Sequence, residues 1–286
     1  MKPAPFAYYR PRTLEDALAL LGEHGEDCKI LAGGQSLVPM LSMRMARPSS
    51  LVDINRVGDL DEIRIEGGRL RIGALARQAD VHRSRETQSA PLLMRAMPFI
   101  GHWQTRNRGT VCGSLAHADP SAELPLVAIA LAGEIEARSV RGSRRIPAHS
   151  FFSSFFTTVL EPDEMIVAAS LEVARERSGY AFEEFAERHG DFAIVATACA
   201  LRLDAAGALE DLRIVLGGVG ERPVVAGAGP RLGTQLTDHD VHAIAAETSN
   251  ALEPPNDRRG SADYRRWLAR GQITRAMSRA LREAAG

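Results

Sequence analysis

The stretch K-I-L-A-G-G-Q-S-L-V-P-M-L occupies residues 29–41. A short apolar run ends in the turn Gly33-Gly34-Gln35-Ser36, and a second apolar run begins at Leu37, which predicts a strand, a tight turn and a new segment. Paired glycines allow positive φ and let a ligand approach without Cβ atoms in the way, so successive N–H groups can converge on a phosphate or pyrophosphate. An ordinary turn between buried strands would have the same residues, so this stretch alone leaves both interpretations open.

A second stretch, residues 106–125, reads R-N-R-G-T-V-C-G-S-L-A-H-A-D-P-S-A-E-L-P. Small residues crowd Gly109 to Ser114, which predicts a loop suited to close backbone approach and to hydroxyl contacts with phosphate oxygens. Asp119 and Glu123 follow, and their carboxylates could accept hydrogen bonds from sugar hydroxyls or could simply favour a helix N-terminus. Two such stretches in one chain suggest one long ligand.

Composition excludes several classes of protein. The chain has 286 residues and a formal net charge of −1, which offers no electrostatic attraction for nucleic acid or an anionic membrane. The N-terminus has no apolar signal region and no other stretch is long and uncharged enough to span a bilayer, so we expect a cytoplasmic protein. Three widely spaced cysteines fit neither a disulfide framework nor a cluster site, so any iron–sulfur centre would lie on another chain.

The remaining patterns predict an α+β protein. Residues 63–65 and 70–72 alternate across two glycines, which predicts a hairpin. The four phenylalanines between residues 151 and 156 predict a core-facing helical turn, and Ser121 is the expected N-cap of a helix over residues 122–131. An antiparallel meander followed by two or three helices predicts a separate C-terminal α+β domain that starts near residue 176.

The sequence contains no pattern typical of a catalytic nucleophile. Cys112 and His117 are five residues apart, but no third residue is placed to orient the histidine, so we interpret His117 as a polar loop residue. Ser36 is followed by Val38 where a nucleophile elbow requires glycine. We therefore assign no catalytic residue and no metal ligand to this chain.

With both glycine stretches considered, the chain resembles the FAD-binding medium subunit, or flavoprotein subunit, of the molybdenum hydroxylase family, which includes the carbon monoxide dehydrogenase and xanthine dehydrogenase types. Three motifs carry this resemblance, and they are Ala32-Gly-Gly-Gln-Ser-Leu37, the segment from Gly109 to Pro125, and Arg188-His-Gly-Asp-Phe-Ala193. The similarity runs the length of the chain.

The resemblance implies a two-subdomain FAD domain of the vanillyl-alcohol-oxidase type followed by a C-terminal α+β domain made of an antiparallel sheet and helices. We place the FAD-binding subdomains at residues 1–57 and 58–175, and the flavoprotein C-terminal domain at residues 176–286.

The resemblance also implies the residues that bind FAD. The pyrophosphate would lie on two backbone segments, Leu31, Ala32, Gly33, Gly34, Gln35, Ser36 and Leu37 on one side and Thr110, Gly113 and Ser114 on the other. Glu123 aligns with an acidic residue near the ribityl and ribose hydroxyls, with Asp119 a weaker candidate for the same role. Leu160 and Phe192 would lie near the isoalloxazine.

Two residues depart from the family pattern. Cys112 replaces the first glycine of the usual T-x-G-G, and either it strains a positive φ or its φ is negative and a small side chain is tolerated, which is the outcome we expect. Phe192 stands where many relatives carry tyrosine, which keeps the aromatic face and removes a hydroxyl.

By this resemblance the chain is a cytoplasmic electron-transfer subunit of an oxidoreductase. A large subunit would carry the molybdopterin and hydroxylate the substrate, a small subunit would carry [2Fe–2S] clusters, and FAD on this chain would pass electrons to an external acceptor. The assembly would be a heterotrimer that dimerises, without nucleic acid or a membrane span. A stand-alone FAD-dependent oxidoreductase of the same domain type is the alternative, and a non-catalytic nucleotide-binding scaffold is a more distant one.

Overall fold

The N-terminal part is a small parallel sheet, seen here in a computed structural model that describes residues 2–227 and 229–286. Its three strands are β1 (Ala7–Tyr9), β2 (Cys28–Leu31) and β3 (Ser50–Asp53), in the order β1-β3-β2. Helix α1 (Leu14–His24) connects β1 to β2 and begins where the Thr13 hydroxyl accepts a hydrogen bond from the Asp16 N–H. Helix α2 (Leu37–Ser42) follows the glycine turn.

The second sheet of the protein has five antiparallel strands. The strands between residues 63 and 172 are β4 (Ile63–Glu66), β5 (Arg69–Gly73), β6 (Glu134–Ser139), β7 (Gly142–Pro147), β8 (Phe152–Ser154), β9 (Thr157–Thr158) and β10 (Met165–Glu172). The sheet has the order β4-β5-β10-β6-β7, whereas β8 and β9 pair only with each other. The hairpin predicted around residues 63–72 is confirmed as β4 and β5.

Short helices link β5 to β6, and they carry the second glycine stretch. They are α3 (Gln78–Arg83), α4 (Pro91–Ala96), α5 (Trp103–Arg108), α6 (Val111–His117) and α7 (Glu123–Ala130). All eight residues of α7 are buried, because this helix packs against other helices and against the C-terminal sheet at once. A helix enclosed on every side needs apolar residues on every face, as the sequence of α7 has after its first residue.

The C-terminal part is a four-stranded antiparallel sheet with two helices on one face. Its elements are β11 (Ser178–Phe185), β12 (Val195–Leu203), β13 (Leu209–Gly217), β14 (Val224–Ala226), α8 (Asp238–Asn250) and α9 (Ala262–Ala285). Alternate residues of β11 and β12 face two different cores. Phe182 and Ala198 join the core of the first two sheets, while Ala181 and Cys199 join the core beneath α8 and α9.

The predicted α+β class and the C-terminal meander followed by helices are confirmed. Two local predictions are wrong. The phenylalanine segment is a tight hairpin and not a helical turn, since Phe152 pairs with Thr158 and Phe156 has positive φ. Helix α7 begins one residue later than predicted and is capped by Ala122 without a side-chain bond, while the Ser121 N–H donates to the Asp119 carboxylate in the turn before it.

Candidate functional site

The glycine turn leaves a row of free backbone donors. Strands β2 and β3 run parallel, so both end at the same edge of the sheet, and the turn from Gly33 to Ser36 crosses that edge. Gly34 has a φ of 72°, which turns the chain toward α2. Within residues 2–227 and 229–286, none of the five N–H groups from Gly33 to Leu37 donates a hydrogen bond to another protein group. Such a turn can bind an anion through its backbone.

The second glycine stretch lies directly against the first. A Cβ atom on Gly33 would stand 2.8 Å from the Cα of Gly109 and closer still to the Arg108 carbonyl oxygen. The Gly109 carbonyl in turn accepts a hydrogen bond of 2.8 Å from the Gln78 N–H. The two segments therefore touch through backbone atoms, and only glycine at position 33 permits that approach.

Residues 110–114 are the N-cap and first turn of α6, which corrects the predicted loop. The Thr110 hydroxyl accepts a 3.0 Å hydrogen bond from the Gly113 N–H, as an N-cap does. The Ser114 N–H bonds to the Thr110 carbonyl at 3.2 Å. Thr110, Gly113 and Ser114 thus share one helical turn, and the small residues serve close packing as well as access.

Cys112 is a packing residue with negative φ, as expected. Its sulfur lies 3.6 Å from the Ile72 carbonyl oxygen and 3.7 Å from that of Gly73. Burial raises the pKa of the Cys112 thiol to about 12. A thiol that stays protonated at neutral pH is a poor nucleophile, so the geometry argues against a Cys112–His117 pair.

Three carboxyl groups occupy the space beyond α6. Asp119 is buried and accepts a 2.8 Å hydrogen bond from the Ser121 N–H, and Glu123 is the first residue of α7. Burial raises the pKa of Glu123 to about 7, with the nearby Asp119 charge adding to the effect. Burial and the charge of Glu123 raise the pKa of Glu184 to about 8. These carboxyls lie in a poorly solvated region where a hydroxyl-rich ligand could supply hydrogen bonds.

Glu184 was missed by the sequence reasoning, as were Asn55 and Arg77. Its Oε2 atom is buried and, among the described residues, has no hydrogen-bond partner. Asn55 follows β3, and Arg77 precedes α3, where they hydrogen-bond to each other and to the backbone of both glycine stretches. A polar residue two positions after the end of a parallel strand was the available signal for Asn55, whereas no local pattern marks Arg77 or Glu184.

Leu160 follows β9 and Phe192 precedes β12, so both lie in loops of the chain. Leu160 is half-buried against the core of the first two sheets, shortly after β9. Phe192 precedes β12 with 50% of its surface exposed, and its carbonyl accepts a hydrogen bond from Arg259. In the described part of the chain, no hydrogen bond connects either residue to Gly33 or Thr110.

Comparisons with known proteins identify the family. A family model described as the FAD binding domain in molybdopterin dehydrogenase matches residues 4–171. The chain belongs to this family. A second model, the CO dehydrogenase flavoprotein C-terminal domain, matches residues 180–280. The chain is therefore an FAD-binding subunit of the molybdenum hydroxylase family, as its motifs had indicated.

Individual relatives cover the whole chain. It is 42% identical to the 6-hydroxypseudooxynicotine dehydrogenase complex subunit alpha of Paenarthrobacter nicotinovorans, over 99% of this chain and 97% of that protein. A structure of carbon monoxide dehydrogenase from Hydrogenophaga pseudoflava is 35% identical, covers 98% of both chains and superposes with a TM-score of 0.93. Quinoline 2-oxidoreductase from Pseudomonas putida 86 is 32% identical, covers 100% of both chains and gives a TM-score of 0.92.

These relatives are oxidoreductases, and several are named as subunits or medium chains, which confirms the predicted oxidoreductase-subunit class. No helix in the described part of the chain is both long and apolar enough to cross a bilayer.

Proposed function

We propose that this chain holds FAD and carries electrons between a partner subunit and an external acceptor. The observation that supports this most directly is the row of free N–H groups from Gly33 to Leu37, backed by the 108–110 backbone. The residues present fit a pyrophosphate, because the turn offers donors and Gly33 and Gly34 carry no Cβ atoms to fill the space. Bound there, the flavin would accept electrons and release them again.

In this proposal each part of the chain has a binding role. The residues from Leu31 to Leu37 and the helical turn of Thr110, Gly113 and Ser114 hold the pyrophosphate. Glu123 and Asp119 accept hydrogen bonds from sugar hydroxyls, which favour their charged forms and so oppose the pKa increase caused by burial.

Leu160 and Phe192 would supply apolar contacts to the isoalloxazine, and Phe192 can stack but cannot donate a hydrogen bond from a side-chain hydroxyl. No side chain of this subunit takes a covalent part in substrate chemistry.

The partners follow from the same proposal. Substrate would be hydroxylated on a molybdopterin-binding large subunit, and [2Fe–2S] clusters on a small subunit would deliver the electrons to this chain. We expect a heterotrimer that dimerises in the cytoplasm. The boundaries at residues 57 and 175 stay predictions, as do the residue roles.

The visible spectrum of the purified chain tests the proposal. We expect a yellow protein whose flavin is released as FAD by denaturation, and which shows no hydroxylase activity without its partners. A colourless protein that FAD cannot reconstitute would refute FAD binding. If the chain alone oxidised a small substrate and purified without partner subunits, the stand-alone FAD oxidoreductase would replace the subunit role.

A further inference from the structure

We propose that Arg77 is a positioning residue that, with Asn55 and Asp53, sets the spacing between the two halves of the pyrophosphate site. This inference rests on the proposed function, and it assigns to three residues outside both glycine stretches a role in FAD affinity. A chain of hydrogen bonds runs from the end of β3 to the backbone before α6.

Asp53 anchors the network at the end of β3. It is 6% exposed, and its Oδ1 atom accepts hydrogen bonds from the Asn55 N–H at 2.9 Å and from the Asn55 side-chain amide at 2.6 Å. Its Oδ2 atom accepts a hydrogen bond from the Tyr8 hydroxyl. Burial alone would raise the pKa of Asp53, but the hydrogen bonds from Tyr8 and Asn55 bring it below its usual value. Asp53 is therefore a fixed, charged acceptor.

Asn55 connects this anchor to the first glycine stretch. Its Nδ2 atom donates to the Ala32 carbonyl at 2.9 Å, immediately before Gly33. Its Oδ1 atom accepts a 2.5 Å hydrogen bond from Nη2 of Arg77. Because the same amide uses its nitrogen toward Ala32 and its oxygen toward Arg77, both partners fix its orientation.

Arg77 connects Asn55 to the second stretch. Its Nη1 atom donates a 2.5 Å hydrogen bond to the Arg108 carbonyl, the same carbonyl that lies against Gly33. One planar guanidinium thus joins an acceptor held to Ala32 with an acceptor that borders Gly109. The rigid fork of arginine can hold two acceptors at a set spacing, whereas the single ammonium of lysine cannot reproduce that geometry.

The positive charge of Arg77 is a second way to increase FAD affinity, and the experiment must distinguish it from the effect of Arg77 on spacing. Across residues 2–227 and 229–286, its guanidinium forms no ion pair with a carboxylate within 4.0 Å. A cation close to the site would also attract an anionic pyrophosphate. Arg77→Lys keeps the charge and removes the fork, so it separates spacing from electrostatic attraction.

The test uses the full-length chain, stripped of flavin and titrated with FAD while flavin fluorescence is followed. For Arg77→Lys and Asn55→Ala we expect the Kd for FAD to rise about tenfold each, the effect of losing one or two hydrogen bonds. Because both changes break one network, the double variant should lose less than the product of the single effects. The midpoint of thermal unfolding of the flavin-free chain is measured in parallel.

Arg69→Lys is the matched control. Arg69 is also a half-buried arginine with Nη2 donating to two carbonyls, Ala132 at 2.5 Å and Ser170 at 3.2 Å, but it lies in the five-stranded sheet. The Arg69→Lys variant should unfold at a lower temperature without any change in its Kd for FAD. Arg77→Lys binding FAD as tightly as the unchanged chain would overturn the positioning role, as would a rise in Kd equal to that of Arg69→Lys. If the unchanged chain itself binds no FAD, the proposed function fails first.

Discussion

Two glycine turns in this molecule use the same residue type for different purposes. Among residues 2–227 and 229–286, the N–H groups of the first, Gly33 to Ser36, have no protein acceptor, whereas in the second, Gly217 to Gly220, both the N–H and the carbonyl of Gly218 bond to protein groups. The Gly218 N–H donates to the Pro120 carbonyl at 2.9 Å, and the Gly218 carbonyl accepts a 2.8 Å hydrogen bond from Arg265. Glycine in a turn therefore indicates a ligand site only when its backbone donors remain free.

Arg265 explains how the second turn is closed. It is 2% exposed and bonds to the Ile194 and Gly218 carbonyls as well as to the Asp257 carboxylate. A buried guanidinium needs acceptors, and here both Nη atoms have them. The turn from Gly217 to Gly220 thus joins α9, β12 and the loop before α7, while the turn from Gly33 to Ser36 faces outward.

The largest expected effect is at the first turn. Gly34→Val should abolish FAD retention, because a β-branched residue at a φ of 72° would move the backbone donors and bring its side chain against Leu31 and Val38. We expect the Kd to rise by more than about a hundredfold. The ratio of flavin to protein absorbance after purification measures this.

Gly68→Val is the control for backbone strain. Gly68 has nearly the same φ, 73°, but lies in the β4–β5 turn with nothing within 4 Å of an added Cβ atom. It should cost stability and leave flavin content unchanged. Normal flavin content in Gly34→Val would show that the pyrophosphate lies elsewhere.

A substitution in the turn from Gly217 to Gly220 should have the opposite effect, on stability and not on FAD binding. Gly218→Ala should leave the Kd for FAD of the folded chain unchanged while destabilising it by roughly 4 kcal/mol, from strain at positive φ and from contact with the Ile194 carbonyl. Urea unfolding measures the loss. A variant of unchanged stability but weakened FAD binding would reverse the distinction between the two turns.

A smaller effect concerns Glu123, the first residue of α7. It lies three residues after Pro120, whose carbonyl accepts the hydrogen bond from the Gly218 N–H. With a pKa raised to about 7 from the usual 4.5, the folded FAD-free chain holds a proton that the unfolded chain has released. The free energy of unfolding should therefore fall as pH rises from 5 to 7, by about 2 kcal/mol from this group. Glu123→Gln should flatten that part of the profile, measured by urea unfolding at several pH values. An equally steep profile in this variant would contradict the assignment.

Local patterns predicted much of the fold. The glycines at 67 and 68 form the predicted hairpin turn, and the apolar run before Gly33 is the predicted strand. Each of these depends on interactions within a few residues, which a sequence displays directly. The prediction for the phenylalanines near residue 151 is wrong because their spacing fits a helix as well as a tight hairpin.

The candidate site divides in the same way. Both glycine stretches could be named from the sequence because they are contiguous motifs, and the second of them includes the acidic residues Asp119 and Glu123. Arg77 and Glu184 could not, since Arg77 bonds to a carbonyl 31 residues away and Glu184 approaches Glu123 only through the packing of α7 against the C-terminal sheet. Their roles depend on neighbours that folding brings together.

The sequence by itself determined the α+β class and the positions of the two glycine stretches, because glycine spacing and strand periodicity are local properties, and its motifs were enough to indicate the family by resemblance. Only the tertiary structure decided that Gly33 touches the Arg108 carbonyl and that Arg77 spans both stretches. It also decided that, in the described part of the chain, the donors from Gly33 to Leu37 have no protein acceptor while the Gly218 donor is bonded to Pro120. A backbone donor becomes available or engaged through atoms distant in sequence, and those atoms are placed by the packing of the sheets and helices.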